Sequence, residues 1–297
     1  MKKQIEMAKK NKINFIIPDF LNMEGSIYLL DTFRSNKEIF KDEINIIGLI
    51  GQFSGCIWNK NDKKSDKYIL SVENIFNIRN NYKKYDMSLV ISFDKEDIEY
   101  KDLEDTYANK IMEIFNDKKN YVLCKSDKLK KYIKEKYKNI KIMDYYENKN
   151  DYMIVNPTLN RDSSIINSSF KDKMVIMPDL GYIPNKKWLF NHVKNKSKLN
   201  KINYKKDRYF SKEKSKSFLE LKKQNNYLKY EDLIEYSKIG INTFMLSGLG
   251  VYNYAMYENI VDYLFKEEYK KDQLVMFSKC ISNYIQQEML EIFNYRL

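Results

Sequence analysis

Asp19, Asp94, Asp127, Asp144 and Asp179 each follow closely on a short apolar run. Carboxylates gathered at such positions can transfer protons or hold a hard cation such as Mg²⁺. Asp19, Asp94, Asp144 and Asp179 are therefore the candidate catalytic carboxylates, with a divalent cation as their candidate cofactor. An aspartate in the same place also caps a following helix, so each has a competing structural role. Cys56, in Gln52-Phe53-Ser54-Gly55-Cys56-Ile57-Trp58, is a candidate nucleophile, set against the ordinary use of a lone cysteine as a small buried residue. Asn156, Asn160 and Arg161 follow another apolar run and are candidate substrate ligands.

Other chemistries are excluded by what is missing. The chain has one histidine, His192, so a multi-histidine metal site cannot form. There is no H-E-x-x-H, no G-x-G-x-x-G and no P-loop, because Gly248-Leu249-Gly250 lacks the remaining glycine and the Lys-Ser/Thr pair. A Ser-His-Asp triad would have to use His192, and no G-x-S-x-G exists to carry its serine.

The net charge of +12 rests on lysine, with only five arginines among 53 basic residues. Lysine, asparagine, isoleucine and tyrosine share A/T-rich codons, so genome composition accounts for much of this surface. It does not account for its concentration. From Lys186 to Lys216, twelve basic residues face two acids, Asp207 and Glu213, while the rest of the chain is close to neutral. Tyr182, Trp188, Phe190, Tyr204, Tyr209 and Phe210 interleave with these lysines. Cations alternating with stacking aromatics suit a single-stranded nucleic acid. His192, Lys194, Lys198, Lys205 and Trp188 are the candidate contacts. The competing readings are a solvated linker and aromatics that merely dock the loop.

These residues need elements to hold them. Eight apolar runs read as strands: Ile13 to Pro18, Ile44 to Ile50, Met87 to Phe93, Tyr121 to Cys124, Ile140 to Met143, Tyr152 to Val155, Met174 to Met177, and Ile241 to Leu246. They are continuous rather than alternating, as in parallel strands covered on both faces. Helical periodicity fills most gaps, with Ser126-Asp127 capping a helix through Lys136 and a last helix from about Asp272 to Tyr295. The pattern predicts an α/β (β/α)8 TIM-like barrel, missing one helix or misreading one strand, because only eight residues separate Met143 from Tyr152. An open doubly wound sheet is the alternative. The barrel is expected over residues 1–267 with a basic insertion at about 180–230. Residues 268–297 are expected as a C-terminal helix packed on the barrel or on a partner. The chain has no apolar run of transmembrane length and no secretory signal at Met1, and its three cysteines are widely spaced, so a cytoplasmic protein without disulfides is expected.

Three stretches together resemble the collagenase-like peptidase family (U-thirty-two). They are Tyr152 to Asp162 (YMIVNPTLNRD), Met174 to His192 (MVIMPDLGYIPNKKWLFNH) and Gly240 to Leu249 (GINTFMLSGL). Pro184 and His192 stand in the family register. The resemblance implies a TIM barrel and, in several members, hydroxylation of RNA or quinone precursors by an iron–sulfur enzyme. Tyr182 and Lys186 occupy the family's cysteine positions, and Leu189 its arginine position. In the third stretch, Met245, Ser247 and Leu249 stand for Lys, Glu and Arg. Cluster ligation typically takes four thiolates, so no iron–sulfur cluster is expected in this chain. The first expectation is a degenerate family member that works as partner or binding subunit, beside a Cys-containing paralogue or another protein. The second is an RNA-binding or RNA-modification protein using the basic loop. The third is a cluster-free enzyme using strand-end carboxylates. Whether the chain is catalytic stays open at this level.

Overall fold

Every one of the eight apolar runs forms a strand. They are β1 (Ile13–Pro18), β2 (Ile44–Gly51), β3 (Ser88–Phe93), β4 (Tyr121–Cys124), β5 (Lys141–Tyr145), β6 (Tyr152–Ile154), β7 (Met174–Ile176) and β8 (Thr243–Met245). The structure, a computed structural model, describes residues 12–59, 69–145, 152–179, 227–246 and 253–280. Neighbouring strands pair in parallel, and β8 returns to β1, which closes the sheet into an eight-stranded barrel. The predicted (β/α)8 architecture is the architecture found.

Two apolar layers explain why the runs are continuous. Side chains alternate across a strand, so each strand must satisfy a lumen face and a helix face. One residue per strand fills the lumen at mid-height: Ile16, Ile50, Val90, Leu123, Met143, Ile154, Val175 and Met245. Their neighbours, among them Ile17, Leu49, Ile91, Val122, Cys124 and Phe244, pack outward under the helices. In β2, both Ile47 and Ile50 contact the lumen cluster although three positions apart. A register shift against β1, between Phe15 and Ile16, carries the extra residue and restores the alternation.

The helices between strands are Met23–Ser35, Val72–Lys83, Thr106–Phe115, Asp127–Lys136 and Tyr230–Lys238, and Asn253–Leu264 follows β8. The start of Asp127–Lys136 is set as the sequence predicts, with Ser126 Oγ accepting from Leu129 N. The regular alternation lapses around β6. Only residues 146–151 separate Tyr145 from Tyr152, too few for a crossover helix. The strand is nonetheless real, and register shows why the short link suffices. Met143 pairs with Tyr152 and Tyr145 with Ile154, so the chain has to retreat only two rungs before pairing again. Between β6 and β7 the helix shrinks to one turn, Ser163–Ile166, flanked by two 3₁₀ turns.

Chain closure is tight at the other end. Phe40 bridges Phe265, and Lys41 N and Lys266 N donate to Leu264 O and Ile39 O. The helical residues 270–280 lie on the barrel's helix layer. Phe277 stacks on Tyr257 with ring centroids 4.4 Å apart, and Tyr28 Oη donates to Gln273 Oε1 at 2.8 Å. No helix among the described residues is long and apolar enough to cross a membrane.

Candidate functional site

In barrels of this architecture the carboxyl ends of the strands form the working face. Side chains two positions beyond the lumen ring continue inward there by alternation. Among them are Gln52 after Ile50, Lys125 after Leu123 and Asn156 after Ile154, and Asp94 lies four beyond Val90. Gln52 Nε2 donates to Asp94 Oδ1 at 3.0 Å, which joins the ends of β2 and β3. Asn59 fixes this junction from behind. Its amide donates to Phe53 O at 2.7 Å, and its Oδ1 accepts from Asp94 N at 3.3 Å. Next along the rim, Lys125 Nζ lies 3.7 Å from Glu96 Oε1.

Asp19 stands on the rim at the end of β1. It lies so close over Gly51 that a side chain at position 51 would collide with Asp19 Oδ1 and with the Phe20 ring. Its Oδ1 accepts from Leu21 N at 3.0 Å. Burial pushes its pKa up to about 6, only partly opposed by the Leu21 amide. Behind it, Ser26 Oγ donates to Asp19 O, and Tyr82 Oη donates to Phe20 O, both at 2.7 Å. The residue keeps partial contact with solvent. A carboxyl that exchanges its proton near neutral pH and remains reachable can serve as general acid or base.

The other predicted residues separate from this arc. Asp144 is buried and faces the helix layer, because its neighbour Met143 takes the lumen side. It pairs at 2.6 Å with Lys130 Nζ, which also reaches Asp127 Oδ1 at 3.0 Å. Burial works against the Lys130 charge, yet both aspartates raise its pKa on balance. Asp179 is also buried, and its Oδ2 accepts from Asn259 Nδ2 at 3.2 Å. Asn259 Oδ1 is buried with no hydrogen-bond partner among the described residues. Cys56 is fully buried, and burial pushes its thiol up to about 12, so no thiolate is at hand near neutral pH. Asn160 is fully buried as well; its side-chain amide donates to Met177 O at 3.0 Å, and its backbone carbonyl accepts from Tyr236 Oη. Arg161 forks onto both carboxylate oxygens of Asp232 and donates to Tyr227 O, tying the β6–β7 connection to the helix before β8. Asn156 stays at the mouth, half-buried. Trp188, His192, Lys194, Lys198 and Lys205 lie outside the described residues, as does most of the basic insertion.

The structure thus keeps Asp19, Asp94 and Asn156 on the working face, and moves Asp144, Asp179, Cys56 and Asn160 into its supports. Lys125 and Glu96 were missed by sequence reasoning. The available signal was a lysine placed directly after the apolar run Tyr121 to Cys124. Among the described residues, no three His, Cys, Asp or Glu side chains gather as a metal shell. No family model matches the chain, and neither a curated protein nor a solved structure matches it.

Proposed function

We propose that the protein is a cluster-free barrel enzyme that moves a proton on a small polar substrate. Asp19 is the proton-transfer group, and Gln52, Asp94, Asn156 and Lys125 bind around it. The supporting observation is that the carboxyl ends of the successive strands β1 to β4 carry Asp19, with a pKa of about 6 and lying over Gly51, then the pair Gln52–Asp94 and the pair Lys125–Glu96. Above pH 6 Asp19 acts as base, and below it as acid. Gln52 and Asp94 hold each other, which fixes both for a ligand and limits the order lost on binding. All three cysteines are free and buried, which accords with a reducing, cytoplasmic setting.

The test is turnover without a presumed substrate. The protein is incubated with a small-molecule extract of its host, and consumption and formation are followed by mass spectrometry. At least one compound should be converted by the wild type, with a pH profile that bends near 6. Asp19→Asn should abolish conversion while the far-ultraviolet spectrum is unchanged. Equal conversion by both proteins would reject the assignment.

A second reading, a binding subunit for another protein, is favoured by a separate observation. Ile69, Val72 and Phe76 are spaced along one side of helix Val72–Lys83 and its approach, and all three are about half exposed (51%, 46% and 49%). Apolar residues grouped in this way mark interaction surfaces. The degenerate-family and RNA-directed readings rest on the sequence features above. An anaerobic tagged pull-down at moderate salt separates them: a Cys-rich barrel relative supports the first, and salt-released RNA the second.

A further inference from the structure

The barrel's opposite end contains a cavity that the mouth does not use. Its volume is about 210 Å³, and Asn14, Ile16, Ile47, Ser88, Val90, Tyr121 and Tyr152 line it. Ile16 and Val90 belong to the mid-height lumen ring and roof it. Asn14, Ser88, Tyr121 and Tyr152 lie at the amino-terminal ends of their strands and Ile47 in the first half of β2, and each is half-buried, so the cavity wall reaches solvent on that side. Small Asn14 and Ser88 stand where packed barrels place bulky branched residues, and this leaves the space open.

The lining is polar in a specific way. Asn14 Oδ1 accepts from Asn45 Nδ2 at 2.9 Å, which orients the amide and leaves its Nδ2 to donate. Ser88 Oγ and Tyr152 Oη form no side-chain hydrogen bond among the described residues. The rings of Tyr121 and Tyr152 lie 5.4 Å apart and tilted by 55°, presenting aromatic surface on one side. Among the described residues no carboxylate lines the cavity, and Lys141 Nζ lies over the outer part of that wall, 5.5 Å from the Tyr121 ring centre. Among these described lining residues a cation finds no counter-charge, and a bare anion would lose its hydration without a paired donor set.

We propose that this floor cavity is a binding site for a small, planar, uncharged ring with a hydrogen-bonding edge. The ring lies against Tyr121 and Tyr152, and its polar edge meets Asn14 and Ser88. The size agrees, since a cavity of about 150 Å³ accommodates benzene. The larger volume here leaves room for one polar substituent. The site is independent of the mouth, and its test does not depend on any turnover.

Benzamide serves as the probe and benzene as its counterpart without a polar edge, each titrated into the full chain and followed by amide chemical shifts. Benzamide should bind saturably, with shifts concentrated at the amino-terminal ends of β1, β3, β4 and β6. One net hydrogen bond gives it an advantage over benzene of about 5-fold. Ser88→Leu fills the space and should weaken both by at least about 10-fold, and Asn14→Leu should remove the advantage of benzamide while leaving benzene bound. If Ser88→Leu does not fold, Asn14→Leu and Tyr152→Leu carry the test alone. Absence of saturable binding, shifts centred on the mouth, or wild-type binding by the variants that fold would each overturn the proposal.

Discussion

At residue scale, the acidic side chains divide by what surrounds each carboxyl. Asp19 is held near pH 6 by burial, against an ordinary value of 3.8. Its proton is bound more tightly in the folded chain, so folding is favoured while the group is neutral. That advantage is complete below about pH 4 and is lost as pH rises through 6. The displacement corresponds to ~3 kcal/mol at most. Asp19→Asn should therefore be more stable than the wild type at pH 7 by up to ~3 kcal/mol and equal to it near pH 4, measured as urea midpoints at the two pH values. Asp144 is instead buried beside a cation, Lys130. Removing its cation with Lys130→Met should cost ~3 kcal/mol, because a buried carboxylate loses its paired charge. Adding Asp144→Asn should recover part of that loss, and a denaturation series on the single and double variants measures it. Both aspartates were legible as acids at strand ends. Their roles were not, since one turn of alternation decides whether a strand-end acid faces the rim or the helix layer. Cys56 failed as a nucleophile for a related reason: its burial depends on the fold of the whole loop from Gln52 to Asn59.

At element scale, the strands were legible because a barrel strand is apolar on both faces, and that leaves continuous runs in the sequence. The helix Asp127–Lys136 was legible through its capping serine. Two features were not. The β2 bulge inserts a residue without disturbing the hydrophobic run that signals the strand. The reduced β5–β6 link depends on register, which only pairing fixes. Closure between the first and last helices also depends on contacts distant in sequence. Gly25, in helix Met23–Ser35, lies against the Tyr257 hydroxyl so closely that a methyl group there would overlap it. Gly25→Ala should cost 1–3 kcal/mol, within the usual range of about 1–3 for overpacking. Tyr257→Phe should relieve part of the cost. A double-mutant cycle in urea checks both.

At the scale of the whole molecule, the sheet is closed but not uniform. β1 and β2 pair over six register positions, and β2–β3 and β3–β4 over four each. β6–β7 and β7–β8 pair over only two. Amide exchange at neutral pH should accordingly be slowest in β1 to β4 and at least about 10-fold faster in β6 to β8, since opening energies follow local bonding and burial. Equal protection around the ring would contradict this. The asymmetry has a mechanical consequence. A barrel built from unequal staves gives way at the short ones, and here the longest excursion of the chain, from Ile176 to Thr243, leaves and rejoins on two of the shortest. Any pull on that excursion is delivered first to the weakest seam of the wall, while the arc of Asp19, Gln52 and Asp94 stands on the longer staves β1 to β3.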